Sequence, residues 1–91
     1  SFSLHPPQPN PFRNTLSMRF DLPKASPVRI EVFDVQGRHI ADLVRSQLPA
    51  GRHSTSWNGT IEGGSRAPAG VYLCRMTAGS FAADRRLVLT P

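Results

Sequence analysis

Apolar and polar residues alternate without interruption from Thr15 to Asp21: Leu16, Met18 and Phe20 fall on one side, and Ser17, Arg19 and Asp21 on the other. An extended chain points successive side chains to opposite faces, so this stretch predicts a half-buried strand over 15–21. The rhythm returns over 28–35, where Val28, Ile30 and Val32 face inward and Arg29 and Glu31 outward. Phe33 then lies on the outer face and needs a cover. Ile40, Leu43 and Val44 predict a short irregular strand over 38–44. Further strands are expected over 52–57, with Thr55 and Trp57 on one face, and over 71–78, with Tyr72, Cys74 and Met76 together. The last, over 81–90, ends on the apolar run Leu87-Val88-Leu89. Nowhere do apolar residues recur at the 3.6-residue spacing of an amphipathic helix.

Turn-forming residues separate these stretches: Leu22 to Pro27, Gln36-Gly37, Ser46 to Gly51, Asn58 to Gly70, and Gly79-Ser80. Gly37, Gly51 and Gly70 allow backbone turns that a Cβ would hinder. The first 14 residues, SFSLHPPQPNPFRN, carry Pro6, Pro7, Pro9 and Pro11. Such a run forbids a helix and disfavours a central strand. It reads as a proline-rich lead-in over 1–14, with a possible first strand and with Leu4 and Phe12 as anchors. Residues 15–91 read as an antiparallel two-sheet sandwich of six or seven short strands, one domain in total.

Composition narrows this reading. A chain of 91 residues is one domain's worth and leaves little room for a deep cleft. Cys74 is the one cysteine, which excludes an internal disulfide and the usual four-ligand zinc site. It is expected to be a buried free thiol. Trp57 is expected in the core, with Phe20, Ile30, Tyr72 and Leu87 near it. The net charge is +5, but the arginines are scattered and only Arg85-Arg86 are adjacent. Without an aromatic and basic stacking surface, no nucleic-acid partner is expected. No apolar run of membrane-spanning length occurs, so no membrane insertion is expected. The chain begins with Ser1, so it is expected to be part of a longer product, with any export signal upstream.

Residues with chemical potential are dispersed. His5, His39 and His53 lack metal-ligand spacing. No acid pair has the marks of a general acid and base, and Asp21, Glu31 and Asp34 are expected to pair across strands with arginines. No nucleophile elbow occurs, and Gly63-Gly64-Ser65 lacks a phosphate-loop lysine. Asn58-Gly59-Thr60 fits a glycosylation sequon but reads better as an Asn-Gly turn. The expectation is a domain that is not an enzyme, with no catalytic residues, no cofactor and no metal.

Four landmarks carry a family likeness. They are Pro9-Asn10-Pro11-Phe12 before the strand ending at Phe20, and Val28-Arg29-Ile30-Glu31-Val32-Phe33-Asp34-Val35-Gln36-Gly37-Arg38. Next come Leu48-Pro49-Ala50-Gly51-Arg52-His53 with Trp57-Asn58-Gly59, and Ala69-Gly70-Val71-Tyr72 closed by Arg85-Arg86-Leu87-Val88-Leu89. Their order resembles the C-terminal sorting domain of type IX secretion cargo proteins. It is equally similar to the related immunoglobulin-like domain of flagellar hook-capping proteins. The likeness implies an all-β, seven-stranded, immunoglobulin-like antiparallel sandwich. It further implies a non-catalytic sorting module attached to an upstream cargo domain. Such a module crosses the periplasm, is read by outer-membrane secretion machinery, meets a sortase-like protease, and reaches the cell surface or beyond. The alternative is a structural or assembly domain, with a glycan-binding module behind it. The expected recognition element is Arg85 to Leu89, with Leu87 and Leu89 toward the core and Arg86 and Val88 away from it. Arg85 shares parity with Leu87, so it must sit at the sheet margin or follow a bulge. A strand at the end of the chain could also be read by edge pairing with a receptor.

Overall fold

The computed structural model describes every residue from Ser1 to Pro91. It holds seven strands and no helix: β1 (Ser3–Leu4), β2 (Leu16–Leu22), β3 (Ser26–Asp34), β4 (His39–Leu48), β5 (Gly51–Trp57), β6 (Gly70–Ala78) and β7 (Phe81–Leu89). They form two antiparallel sheets, ordered β1-β2-β5 and β4-β3-β6-β7.

Alternation decides which side chains enter the space between the sheets. Leu16, Met18, Phe20 and Leu22 come from β2, and Val28, Ile30 and Val32 from β3. Tyr72, Cys74, Met76 and Ala78 come from β6, and Leu87 and Leu89 from β7. All belong to one contiguous apolar cluster, which Leu4 and Phe12 of the lead-in join as the sequence predicts. Each large aliphatic or aromatic side chain so buried contributes about 1.5–3 kcal/mol relative to exposure.

Trp57 is buried, and its indole Nε1 donates to the Thr60 carbonyl at 2.9 Å. Its ring meets Tyr72 edge-on at 5.2 Å between centroids and Phe12 at 5.6 Å. Tyr72 is an expected neighbour; Phe20 is not one in fact. The β2–β5 register sets Leu16 opposite Trp57 and Phe20 opposite His53. Four residues of strand separate the two positions, about 13 Å at the usual rise. Parity gives the face a residue occupies and says nothing of its place along the strand.

Tyr72 lies near the start of β6 and its hydroxyl donates to the Pro68 carbonyl, four residues back. This is the tyrosine corner of immunoglobulin-like sandwiches. Cys74 follows two residues later, where antibody domains carry a cysteine of their inter-sheet disulfide, and here it is a buried free thiol.

The start of β3 and the end of β4 depart most from expectation. β3 begins at Ser26 and includes Pro27. Pro27 pairs with Gln47 on the β4 side, while β6 joins only from Val28, so the missing N–H has no β6 partner to lose. β4 continues to Leu48, so the expected loop over 46–51 shrinks to Pro49-Ala50. Within β4, Leu43 and Ile40 are skipped by the register at two irregularities. Each extra residue shifts the alternation by one, which is why this strand looks irregular in sequence.

Candidate functional site

β7 is the last strand of the larger sheet, paired with β6 in unbroken register from Phe81 opposite Ala78 to Leu89 opposite Gly70. The other rim of such a strand presents unpaired backbone groups. The lead-in covers its C-terminal half. Asn10 Nδ2 donates to the Arg86 carbonyl at 2.8 Å, and the Val88 amide donates to Asn10 Oδ1 at 2.9 Å. A primary amide side chain holds one acceptor beside its donors, so Asn10 stands in for a neighbouring strand's peptide group. The Phe12 amide then donates to the Val88 carbonyl at 2.9 Å, and the Thr90 amide to the Phe12 carbonyl at 2.8 Å. This places Phe12 and Leu89 in a parallel bridge. Pro9 and Pro11 flank Asn10 and carry no backbone N–H of their own. The rim that edge pairing with a receptor would use is therefore already occupied at the Arg86 carbonyl, at both backbone groups of Val88 and at the Thr90 amide.

The five residues of the expected recognition element separate into two sets. Leu87 and Leu89 are buried. Arg85 lies at the sheet margin with no bulge before it. Its guanidinium reaches β1 and donates to the Leu4 carbonyl from Nε at 3.1 Å and from Nη2 at 2.6 Å. These three hold the sandwich together. Arg86 is exposed and Val88 half-buried, on the outer face as expected. Arg86 makes no ion pair, whereas Arg75 is held by Asp84 at 2.9 Å and Arg38 by Asp34 at 2.8 Å.

The other family positions build the ends of the sandwich. Asp34 Oδ1 accepts from the Gln36 and Arg38 amides, both at 2.9 Å, and this turn needs the positive φ of Gly37 (86°). Gly51 and Gly70 open β5 and β6. Gly59 is buried, and a Cβ there would lie 2.9 Å from Arg66 Nη1. Asn58 Oδ1 accepts from the Thr60 amide at 3.2 Å and hydroxyl at 2.7 Å, the turn that the sequence predicts. Arg66 donates to the Asn58 carbonyl at 3.0 Å and also to the Arg13 carbonyl, which ties this loop to the lead-in.

The acids pair differently from expectation. Asp21 binds His5 Nε2 at 2.7 Å and the Ser3 hydroxyl at 2.9 Å, and those hydrogen bonds hold its carboxyl below the usual range. Its partners come from the lead-in and not from an arginine, because β1 lies directly beside it. Glu31 meets Arg29 on its own strand at 3.4 Å and His39 at 3.5 Å. Asp34 pairs with Arg38 across the turn; its carboxyl is lowered mainly by the backbone hydrogen bond from Arg38. Arg75 and Asp84, which face each other on β6 and β7, make the cross-strand arginine pair, and this bond lowers Asp84. Glu31, His39 and Asp42 come together although their sequence spacing gives no such sign. The skipped Ile40 turns His39 onto the face of Asp42. Arg29 and Arg45 lie 3.4 Å and 3.6 Å from these carboxylates, so the group is an ion-pair network. Phe33 finds its cover here, with the His39 ring edge-on at 5.7 Å.

Two sheets in this strand order, closed by a tyrosine corner, define an immunoglobulin-like domain. Residues 12–81 match the family of the FlgD Ig-like domain, and the chain belongs to that family. The likeness read from the four sequence landmarks is borne out. Among solved structures, the crystal structure of dimeric latent PorU from Porphyromonas gingivalis resembles it with a TM-score of 0.71 and 20% identity, over 92% of this chain and 9% of that one. The structure of FlgD from P. aeruginosa resembles it with a TM-score of 0.64 and 23% identity, over 82% of this chain and 61% of that one. At these identities the likeness is one of fold. The chain spans a small part of the PorU chain and less than two thirds of the FlgD chain. No curated protein sequence matches it.

Proposed function

We propose that this domain is a sorting module of an exported bacterial protein, carried by an upstream cargo domain and read by outer-membrane secretion machinery of the type IX kind. The observation that carries the reading is the division of labour along β7. Arg85, Leu87 and Leu89 fix the strand, while unpaired Arg86 and half-buried Val88 stand on its outer face. A signal that a receptor must read needs an ordered, outward, unsatisfied group, and Arg86 is one. The recurrence of the fold as a small part of the much longer PorU chain supports an appended module. In this reading the protein passes through the periplasm, and a sortase-like protease acts at or before the lead-in.

The test is Arg86→Glu in the natural parent protein, with the fold verified by amide spectra. Cargo should accumulate in the periplasm. Normal surface delivery with Arg86 reversed, and again with residues 1–91 deleted, would sink the sorting role. The membership in the FlgD Ig-like family supports a second reading, an assembly or spacer domain. Under it, export is indifferent to both changes and the parent's assembly fails on deletion.

A further inference from the structure

We propose that the outer face of the larger sheet carries a docking groove for an extended acidic and apolar peptide segment of a partner protein, with Val35, Val71 and Leu73 as its floor and Arg86 as the anchor for a carboxylate. The β3–β6 ladder ends at Asp34 opposite Tyr72; Val35, in the turn just past that end, and Val71 of β6 line one hollow. These two are the exposed large hydrophobic residues of the molecule, at 77% and 41%. The Asp34 turn holds Val35 in place, since its carboxylate is engaged by the Gln36 and Arg38 amides. The hollow, of about 520 Å³, is also lined by Phe33, Leu73, Arg75 and Arg86.

Register explains the arrangement. Phe33 pairs with Leu73, and Leu73 with Arg86, so one row across three strands runs from ring to aliphatic to guanidinium. Val71 and Val88 form the adjacent row. Single exposed apolar residues are ordinary on a soluble domain, but a contiguous apolar strip marks a contact surface. Charge then selects the occupant. Arg38 and Arg75 already hold Asp34 and Asp84, which leaves Arg86 as the cation of this surface without a counter-ion. A carboxylate is the group that a guanidinium fork binds in two parallel bonds, and aliphatic neighbours on the same segment would cover Val35 and Val71. A protein segment fits better than an anionic lipid surface, because Asp34 lines the hollow and Asp84 stands on the same sheet face, where both would meet headgroup phosphates.

The groove deepens the export reading by giving its partner a chemistry, yet binding and export are measured separately. A phage-displayed random peptide library is selected on this domain and counter-selected on Arg86→Glu. Enriched sequences should set an acid beside aliphatic residues. The selected peptide should shift the amides of Val35, Val71, Leu73 and Arg86 in labelled protein. Replacing its acids by amides, or changing Val71→Ser in the domain, should weaken binding about tenfold. Unchanged core resonances in each variant exclude unfolding as the cause. No enrichment, enriched peptides without acids, or shifts on another face would overturn the proposal. So would Arg86-dependent sedimentation with phosphatidylglycerol vesicles by a domain whose groove no peptide moves. Lost peptide binding in the Arg86→Glu parent, with export intact there and again on deletion of residues 1–91, would sink the sorting role and leave the groove standing.

Discussion

The Arg85 guanidinium on β7 donates twice to the Leu4 carbonyl on β1, at 3.1 and 2.6 Å, and so joins the two sheets at their margin. Replacing Arg85 by Met keeps most of the side chain's bulk and leaves that carbonyl without its donors. The loss should be about 1–3 kcal/mol, read as a lower urea midpoint with an unchanged slope. An unchanged midpoint would show that the contact contributes nothing to stability.

Asn10→Ala should uncover the Arg86 carbonyl and the Val88 amide on the rim of β7, because one side-chain amide makes both of those bonds. The expected cost is about 1 kcal/mol, since the site is solvent-exposed. Hydrogen exchange at the Val88 amide should accelerate while the β6-paired amides keep their protection. Uniform acceleration along β7 would mean that the lead-in supports the whole strand.

Trp57→Ala removes a buried ring wedged between Phe12 and Tyr72. A cavity of that size costs about 3–5 kcal/mol. The native protein should show blue-shifted tryptophan emission that iodide quenches weakly, and strong quenching would contradict the burial.

Cys74 should react with thiol reagents only when the domain unfolds. Burial pushes its thiol up to about 12, with Asp84 adding in the same direction, so almost no thiolate exists near neutrality. Labelling of the native protein at the rate of a free thiol would contradict this.

Acid should destabilise the domain through Asp21, Asp34 and Asp84, all lowered from 3.8 in the fold. For a carboxyl depressed on folding, the unfolded chain takes up protons first as pH falls. The stabilisation is complete above the unfolded value and is lost as pH drops through the folded one. Urea midpoints should thus be level above pH 5 or so and fall below about pH 4, and Asp84→Asn should reduce the fall. A midpoint that rises on acidification would reverse the sign and refute the argument.

The sequence by itself determined the regular strands β2, β3, β5, β6 and β7, the faces of their residues, and the family. The reason is local: a period of two, with turns at glycine and proline, fixes which side chains are buried before any partner is known. It placed Leu4 and Phe12 in the core and Arg86 and Val88 on the outside of β7. Tertiary structure alone decided what meets across the chain. Asn10 fills the rim of a strand 76 residues away. Arg85 crosses to Leu4, and His5 takes Asp21 from the arginines. Trp57 faces Leu16 and not Phe20 because strand register, set by hydrogen bonding between distant segments, has no trace in parity. The bulge at Ile40, which turns His39 toward Asp42, belongs to the same class. So does the meeting of Val35 and Val71 at one hollow, two valines at the ends of different predicted strands.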